Sequence, residues 1–157
     1  MKLIPFLLLL SLGFMSCGPR TEAEVYEAAL GAQRMEHYDE AVELFERLLV
    51  EFPRSEKLPD AFYTLGVLYQ DRVKDFPRAI AMYSKLYETY PDHPAAANGL
   101  FMTAFLQHNE LKNLDAAKSA YQLFLERYPE SPLVESARFE LANLGKDPAD
   151  MLSTLEK

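Results

Sequence analysis

One step length constrains this chain more than any other feature. Moving the sequence 38 residues along itself brings Phe52-Pro53 onto Tyr90-Pro91 and Tyr128-Pro129 with no insertion. The same step aligns Tyr38, Phe76 and Leu114; Ala41, Ala79 and Ala117; Leu44, Met82 and Ala120; Phe45, Tyr83 and Tyr121; and Leu48, Leu86 and Phe124. It also aligns Ala28, Gly66, Ala104 and Ala142, then Leu30, Leu68, Leu106 and Leu144. A chain with this register is built from repeated supersecondary units that bury their apolar faces only by stacking on one another.

Within each unit the apolar residues recur at three and four, as in Ala41, Phe45, Leu48 and Phe52, which is the stripe of an amphipathic helix and not the alternation of a strand. Pro53, Pro91 and Pro129 each follow an aromatic residue and lack the amide that a continuing helix needs. A B helix is therefore predicted over 40–52, 77–90 and 115–128, and an A helix before it over 23–36, 59–71 and 95–109. Ser131 and Pro132 introduce a seventh helix over 133–145, the hydroxyl capping free amides and the proline sitting in the first turn. Val134, Ala137, Leu141 and Leu144 give it the A pattern without a full B partner, so it is expected to cover the open end of the stack. The tail 146–157 has a cap-like start at Asp147-Pro148 and predicts a short helix that closes the last groove through Met151, Leu152 and Leu155. The expected fold is all-α: a stack of about seven antiparallel helices, with units 23–58, 59–94 and 95–132 and a cap 133–145. Ala28, Gly66, Ala104 and Ala41, Ala79, Ala117 are expected to let A and B helices approach, with Phe45, Tyr83 and Tyr121 filling the space between units.

Residues 1–16 do not belong to this pattern. They hold one lysine, Lys2, and an apolar run shorter than the roughly 18 residues of a spanning helix, and they lead directly into the only cysteine, Cys17. A single cysteine excludes an internal disulfide framework and a cysteine-rich metal site. The sequence FMSCG resembles the bacterial lipobox, with Phe14 where that pattern prefers leucine. The resemblance implies that 1–16 is a signal peptide removed before Cys17, that Cys17 carries a diacylglycerol and an acyl chain, and that 17–22 is a short tether. Such chains contribute about 0.8 kcal/mol per buried CH₂ and hold a protein at a bilayer without a crossing helix. Gly18, and not aspartate, follows the cysteine, unlike the inner-membrane retention signal of proteobacteria.

The chain carries 16 Lys and Arg against 24 Asp and Glu, a net charge of −8, with no basic block, so a phosphate backbone is a poor partner and no nucleic acid is expected. His37, His93 and His108 are the only imidazoles, none in an HExxH arrangement. Asp60, Glu88, Glu110 and Glu135 are carboxylates of solvated helix faces, and no phosphate loop or nucleophile elbow accompanies the isolated Gly66 and Gly99. No catalytic residue, metal, cofactor or small-molecule substrate is expected.

The repeat itself resembles the tetratricopeptide repeat family, and the resemblance implies that the seven helices form a right-handed superhelix. Leu65-Gly66, Phe76, Ala79, Tyr83, Leu86 and Pro91 match its pattern; so do Ala28, Tyr38, Ala41, Phe45, Leu48 and Pro53, and Ala104, Leu114, Ala117, Tyr121, Phe124 and Pro129. The period of 38, where the family has 34, marks a subclass. Residues 26–71 and 121–142 are similar to the repeat domain of the Tol-Pal-associated coordinator and to the repeat lipoprotein of the barrel-assembly machinery. The former carries a coiled coil and is not usually lipidated; the latter is a lipoprotein of about five repeats.

The family resemblance implies that A helices line a concave groove in which a peptide or helix lies, here Tyr63, Val67 and Gln70 in the second unit with Phe101, Phe105, His108 and Asn109 in the third. Phe101 and Phe105, four apart, are also read as core, and that reading stands ahead of the groove. The expected role is a noncatalytic scaffold binding an envelope protein or complex, lipid-anchored at the outer membrane and facing the periplasm, in outer-membrane protein assembly or Tol-Pal-linked maintenance. A peptide- or glycan-capturing module, or an accessory lipoprotein of an uptake system, is the alternative. Cys17→Ala is expected to leave the helical content intact and move the chain from the membrane pellet to the soluble fraction; retention in the pellet overturns the lipid anchor.

Overall fold

The computed structural model describes residues 21–146, and within them every regular element is helical. The order is α1 (Glu22–Arg34), α2 (Tyr38–Glu51), α3 (Leu58–Leu68) running into one π-helical turn (Tyr69–Val73), α4 (Phe76–Thr89), α5 (Ala96–Asn109), α6 (Leu114–Arg127) and α7 (Val134–Ala142). Each α-helix packs on the next in the chain. The architecture is three stacked antiparallel pairs, α1/α2, α3/α4 and α5/α6, with α7 on the end, a tetratricopeptide-like superhelix. Cys17 and the predicted tail helix lie outside the described residues.

The helix ends follow from local chemistry that itself repeats. α1 starts one residue before its predicted range because Thr21 and Glu24 form a reciprocal capping box, the Thr21 hydroxyl accepting from the Glu24 amide at 3.3 Å and the Glu24 carboxylate from the Thr21 amide at 3.0 Å. Asp75 and Asn113, one step apart, accept from the amides of Arg78 at 3.0 Å and Ala116 at 3.2 Å to cap α4 and α6. Their counterpart His37 makes no side-chain cap on α2. Glu36, Lys74 and Lys112, again one step apart, all take positive φ, at 61°, 61° and 54°, and so turn each A helix into its B helix. None of the three is glycine, so nothing in composition announces this left-handed residue.

The B helices stop one residue before the aromatic of each aromatic-Pro pair. Phe52, Tyr90 and Tyr128 have φ of −127°, −130° and −127°, outside the helical region, as the following proline requires. Each loop then closes in the same way: the amides of Ser55, His93 and Ser131 donate to the carbonyls of Phe52, Tyr90 and Tyr128, all at 3.0 Å. α7 departs from expectation in detail. Ser131 accepts from the Leu133 amide at 3.3 Å, but the helix begins at Val134, so Pro132 lies in the turn before it and not in its first turn.

Ala41, Phe45 and Leu48, Ala79, Tyr83 and Leu86, and Ala117, Tyr121 and Phe124 are fully buried along the three B helices. Their rings were expected between units; the structure seats them inside their own pairs. Tyr63 meets Tyr83 with ring centroids 5.9 Å apart, Phe101 meets Tyr121 edge-on at 5.8 Å, and Tyr26 meets Phe45 edge-on at 6.1 Å. The reason is room: a Cβ added at Gly66 would stand 2.4 Å from a ring carbon of Tyr83, so the ring occupies the volume that a side chain on its own A helix would take. Ala104 is buried like Gly66, whereas Ala28 is only half-buried and Ala29 takes the buried place in α1. Stacking of pairs uses Gly99, whose added Cβ would meet Leu86 and the Tyr83 carbonyl at 3.4 Å.

Gly66→Ala gains about 1 kcal/mol of helix propensity. It must also displace a ring whose hydroxyl is held by Gln70, an overpacking cost of about 1 to 3 kcal/mol. A net lowering of the chemical unfolding midpoint is expected; a midpoint that stays or rises would contradict the ring-on-glycine crossing.

Candidate functional site

The repeat step places one residue at the same position on every A helix, and these residues form rows. Val25, Tyr63, Phe101 and Phe139 make the first row, on α1, α3, α5 and α7; Ala29, Val67, Phe105 and Asn143 make the second; Ala32, Gln70, His108 and Lys146 make the third. Every row starts from a small buried residue on α1, and along the first row exposure rises towards α7. Val25 and Ala29 are completely buried, Tyr63, Val67, Phe101 and Phe105 are half-buried, and Phe139 is 59% exposed. The face is closed and apolar at its first pair and open and aromatic at α7.

Of the residues expected to line a groove, the two in the first row also serve the core. Tyr63 packs against both hydrophobic clusters, the one of the first two pairs and the one of the third pair and α7. Phe101 lies edge-on to Tyr121 and to Phe124, both at 5.8 Å, on the flank of the second cluster. Val67 packs on the first cluster. Phe105 stands half-buried on the face, and its carbonyl accepts from the Asn109 side-chain amide at 3.1 Å, so Asn109 is turned back on its own helix. Gln70 accepts from the Tyr83 hydroxyl at 3.2 Å and donates to Asp71 at 3.1 Å.

His108 has the place in α5 that Gln70 has in α3, and it behaves differently. Its Nδ1 lies 3.4 Å from Oε2 of Glu140 on α7 but makes no hydrogen bond among the described residues, so here the end helix and the third pair are in contact without being bonded. The Tyr121 hydroxyl, counterpart of the Tyr83 hydroxyl that donates to Gln70, is buried without a hydrogen-bond partner among the described residues. Burial first, then the negative charge of Glu140, pushes the Tyr121 phenol well above its usual value. Burial first, then Tyr63 and Asp71, does the same to Tyr83. Both phenols stay protonated and are donors only to acceptors within reach. Phe139 and Glu140 escaped the sequence reading, although one further step of 38 from Phe101 lands on Phe139.

The other imidazoles do not converge. His37 Nδ1 is 3.6 Å from Glu40 on an exposed turn, and His93 Nε2 is 3.4 Å from Asp60. Among the described residues no group of three or more His, Cys, Asp or Glu side chains is placed to hold a metal ion. No helix among them is long and apolar enough to cross a membrane.

A graded aromatic face on stacked helix pairs, without a convergent set of acids, bases or ligands among the described residues, defines a helical repeat scaffold. Residues 19–151 match the model of the YfiO family, described as outer membrane lipoprotein, and the chain belongs to that family. The match begins after Cys17, so it is carried by the repeat domain and not by the leader. No curated protein matches the chain.

The two tyrosines give opposite expectations. Tyr83→Phe removes a made hydrogen bond and should cost about 0.5 to 1.5 kcal/mol. Tyr121→Phe removes an unpartnered buried hydroxyl and should be neutral or stabilising by up to about 1 kcal/mol. Paired urea titrations read both, and the reverse order would show that Tyr121 has a partner.

Proposed function

We propose that this chain is a noncatalytic protein interaction scaffold of the bacterial cell envelope, held at the outer membrane by a lipid on Cys17, facing the periplasm, and serving outer-membrane protein assembly. The observation that carries the reading is the row ending in Phe139. An aromatic ring 59% exposed, in the row that also holds the half-buried Phe101, is apolar surface that a partner covers with gain, at about 25 cal/mol per Å² removed from water. Aromatic side chains at such places are typical anchors of protein interfaces. The outer membrane lipoprotein family favours the likeness to the barrel-assembly lipoprotein over the likeness to the Tol-Pal coordinator, which is not usually lipidated. The second reading, Tol-Pal-linked maintenance, is supported by the likeness of residues 26–71 and 121–142 to the repeat domain of the Tol-Pal-associated coordinator.

A lipid anchor confines scaffold and partner to one surface and raises their effective concentration, so a modest interface suffices. The net charge of −8 then acts on encounter rate and orientation, favouring partners with Lys or Arg at the rim.

The test is affinity purification of the tagged full chain from detergent-solubilised envelopes, beside the variant Phe105→Ser/Phe139→Ser. Components of barrel assembly should co-purify with the wild type, and their apparent affinity should fall about 30-fold in the variant, the equivalent of a hot spot of about 2 kcal/mol, with unchanged circular dichroism. Undiminished capture by the variant removes the face from the interface. Capture of Tol-Pal components alone assigns the chain to the second reading.

A further inference from the structure

The inter-unit loops, which the groove reading does not use, form an edge of their own. Two clefts flank the turn 91–93. The larger, about 640 Å³, is walled by Pro91 and Pro94 on one side and by Pro129 and Pro132 on the other, with Tyr128 between them. The smaller, about 340 Å³, lies on the other side of the turn and is walled by Pro59, Tyr90 and Pro91. Tyr90 and Tyr128 are one repeat step apart, so the clefts are successive copies of one feature. The Tyr128 hydroxyl donates to the Pro91 carbonyl at 3.1 Å and fixes one loop against the next.

We propose that this edge is a second binding surface, for an extended proline-rich segment carrying basic residues, whose rings enter the two clefts. The secondary structure of the occupant follows from what the edge offers. A strand needs a sheet edge to pair with, and the described residues have none. A helix needs one continuous apolar trough, whereas here the turn 91–93 divides the edge into two compartments. A polyproline II segment fits such a divided edge. It repeats every three residues, roughly 9 Å per turn. Successive loops linked by one tyrosine side chain and one hydrogen bond are separated by a distance on the order of 10 Å, the spacing of packed helices.

The lining chemistry agrees. Polyproline II makes no internal hydrogen bonds, so its carbonyls want isolated donors beside flat apolar walls. Asn98 and Arg127 line the larger cleft, are exposed, and make no side-chain hydrogen bond among the described residues. Asp92 and Glu130, one step apart, are exposed carboxylates in its lining, against the one guanidinium of Arg127, and they favour Lys or Arg beside the prolines. A preformed polyproline II segment also loses little entropy on docking.

The test uses the full chain, ¹⁵N-labelled and purified in detergent, titrated with a synthetic decaproline flanked by arginines. Saturable shifts of the amides of Ala97, Asn98, Tyr128 and Glu130 are expected, with binding weakened tenfold or more when every proline of the peptide is replaced by alanine. Asn98→Trp, at an exposed position of α5, should fill the cleft and weaken the proline peptide at least tenfold with unchanged circular dichroism. The proposal is overturned by equal binding of the alanine peptide, by binding undiminished in Asn98→Trp, by shifts confined to Phe105 and Phe139 on the A-helix face, or by no saturation at millimolar peptide. It is also overturned if an N-acetylglucosamine trimer shifts the loop amides while the proline peptide does not. These outcomes are independent of the envelope pull-down, since that experiment varies the A-helix face alone.

Discussion

The crossing of a B-helix ring over a small residue of its own A helix is the interaction on which the rest of this structure depends. An aromatic ring buries about 150 to 250 Å². At about 25 cal/mol per Å² each crossing contributes about 4 to 6 kcal/mol as an upper estimate. The geometry matters as much as the energy. With Tyr83 filling the space over Gly66, α3 and α4 can pack at one separation only, and the outer side of α4 is left smooth enough for Gly99 of the next pair to approach Leu86 and the Tyr83 backbone. Pairing therefore precedes stacking in the logic of the fold, and the A-helix rows are the surface that neither process consumes.

The stacking interfaces are not equivalent, and their differences run in the same direction as the rows. Between the first and second pairs the Tyr69 hydroxyl donates to Glu46, and burial, then this bond, pushes the phenol up to about 12. Arg78 lies 4.5 Å from the Tyr69 ring centroid and pairs with Asp75 at 2.6 Å, closing the network at the start of α4. One step along, Gln107 takes the place of Tyr69 and Ser84 the place of Glu46. There the Gln107 oxygen is buried without a partner among the described residues, as is the Thr103 hydroxyl on the same face, while Ser84 turns to the Tyr87 hydroxyl at 3.3 Å. A buried unpaired polar atom costs about 1 to 3 kcal/mol. The polar bonding is thus complete at the first interface and incomplete at the second, nearer the end that exposes Phe139. Deviations of this kind gather where a surface is kept for something other than stability.

Much of this was legible in the sequence because the repeat is a constraint on every level at once. The aromatic-Pro pairs marked each B-helix end to within a residue, since proline acts through covalent geometry that tertiary context does not override. The left-handed residues Glu36, Lys74 and Lys112 were not legible: a side chain can be held at positive φ by the hinge around it, and a glutamate or lysine there carries no signal. The π turn after α3 was hidden for a similar reason, because it depends on which carbonyl the Lys74 amide finds, here that of Tyr69, five residues back. The place of the rings was misread because register tells which residues are equivalent but not which neighbour they face. Phe139 was legible and overlooked, for the step that found three units also predicts the corresponding residue of the helix that covers them.

The acidic excess separates from the apolar face in the same way. On the exposed side of α2 stand Glu40, Glu43 and Glu46, where α4 has Arg78, Ala81 and Ser84 and α6 has Ala116, Ser119 and Gln122. The acidic stripe is therefore on the first B helix, while the exposed ring is on the last A helix. Charges in water act over about a Debye length of 8 Å at physiological salt, whereas apolar contact acts only where surfaces touch. A scaffold arranged like this can be approached by its charged end without that end adding to the affinity of the aromatic one. Since the two belong to different helices and different pairs, the repeat can vary one without disturbing the ring crossings that hold it together.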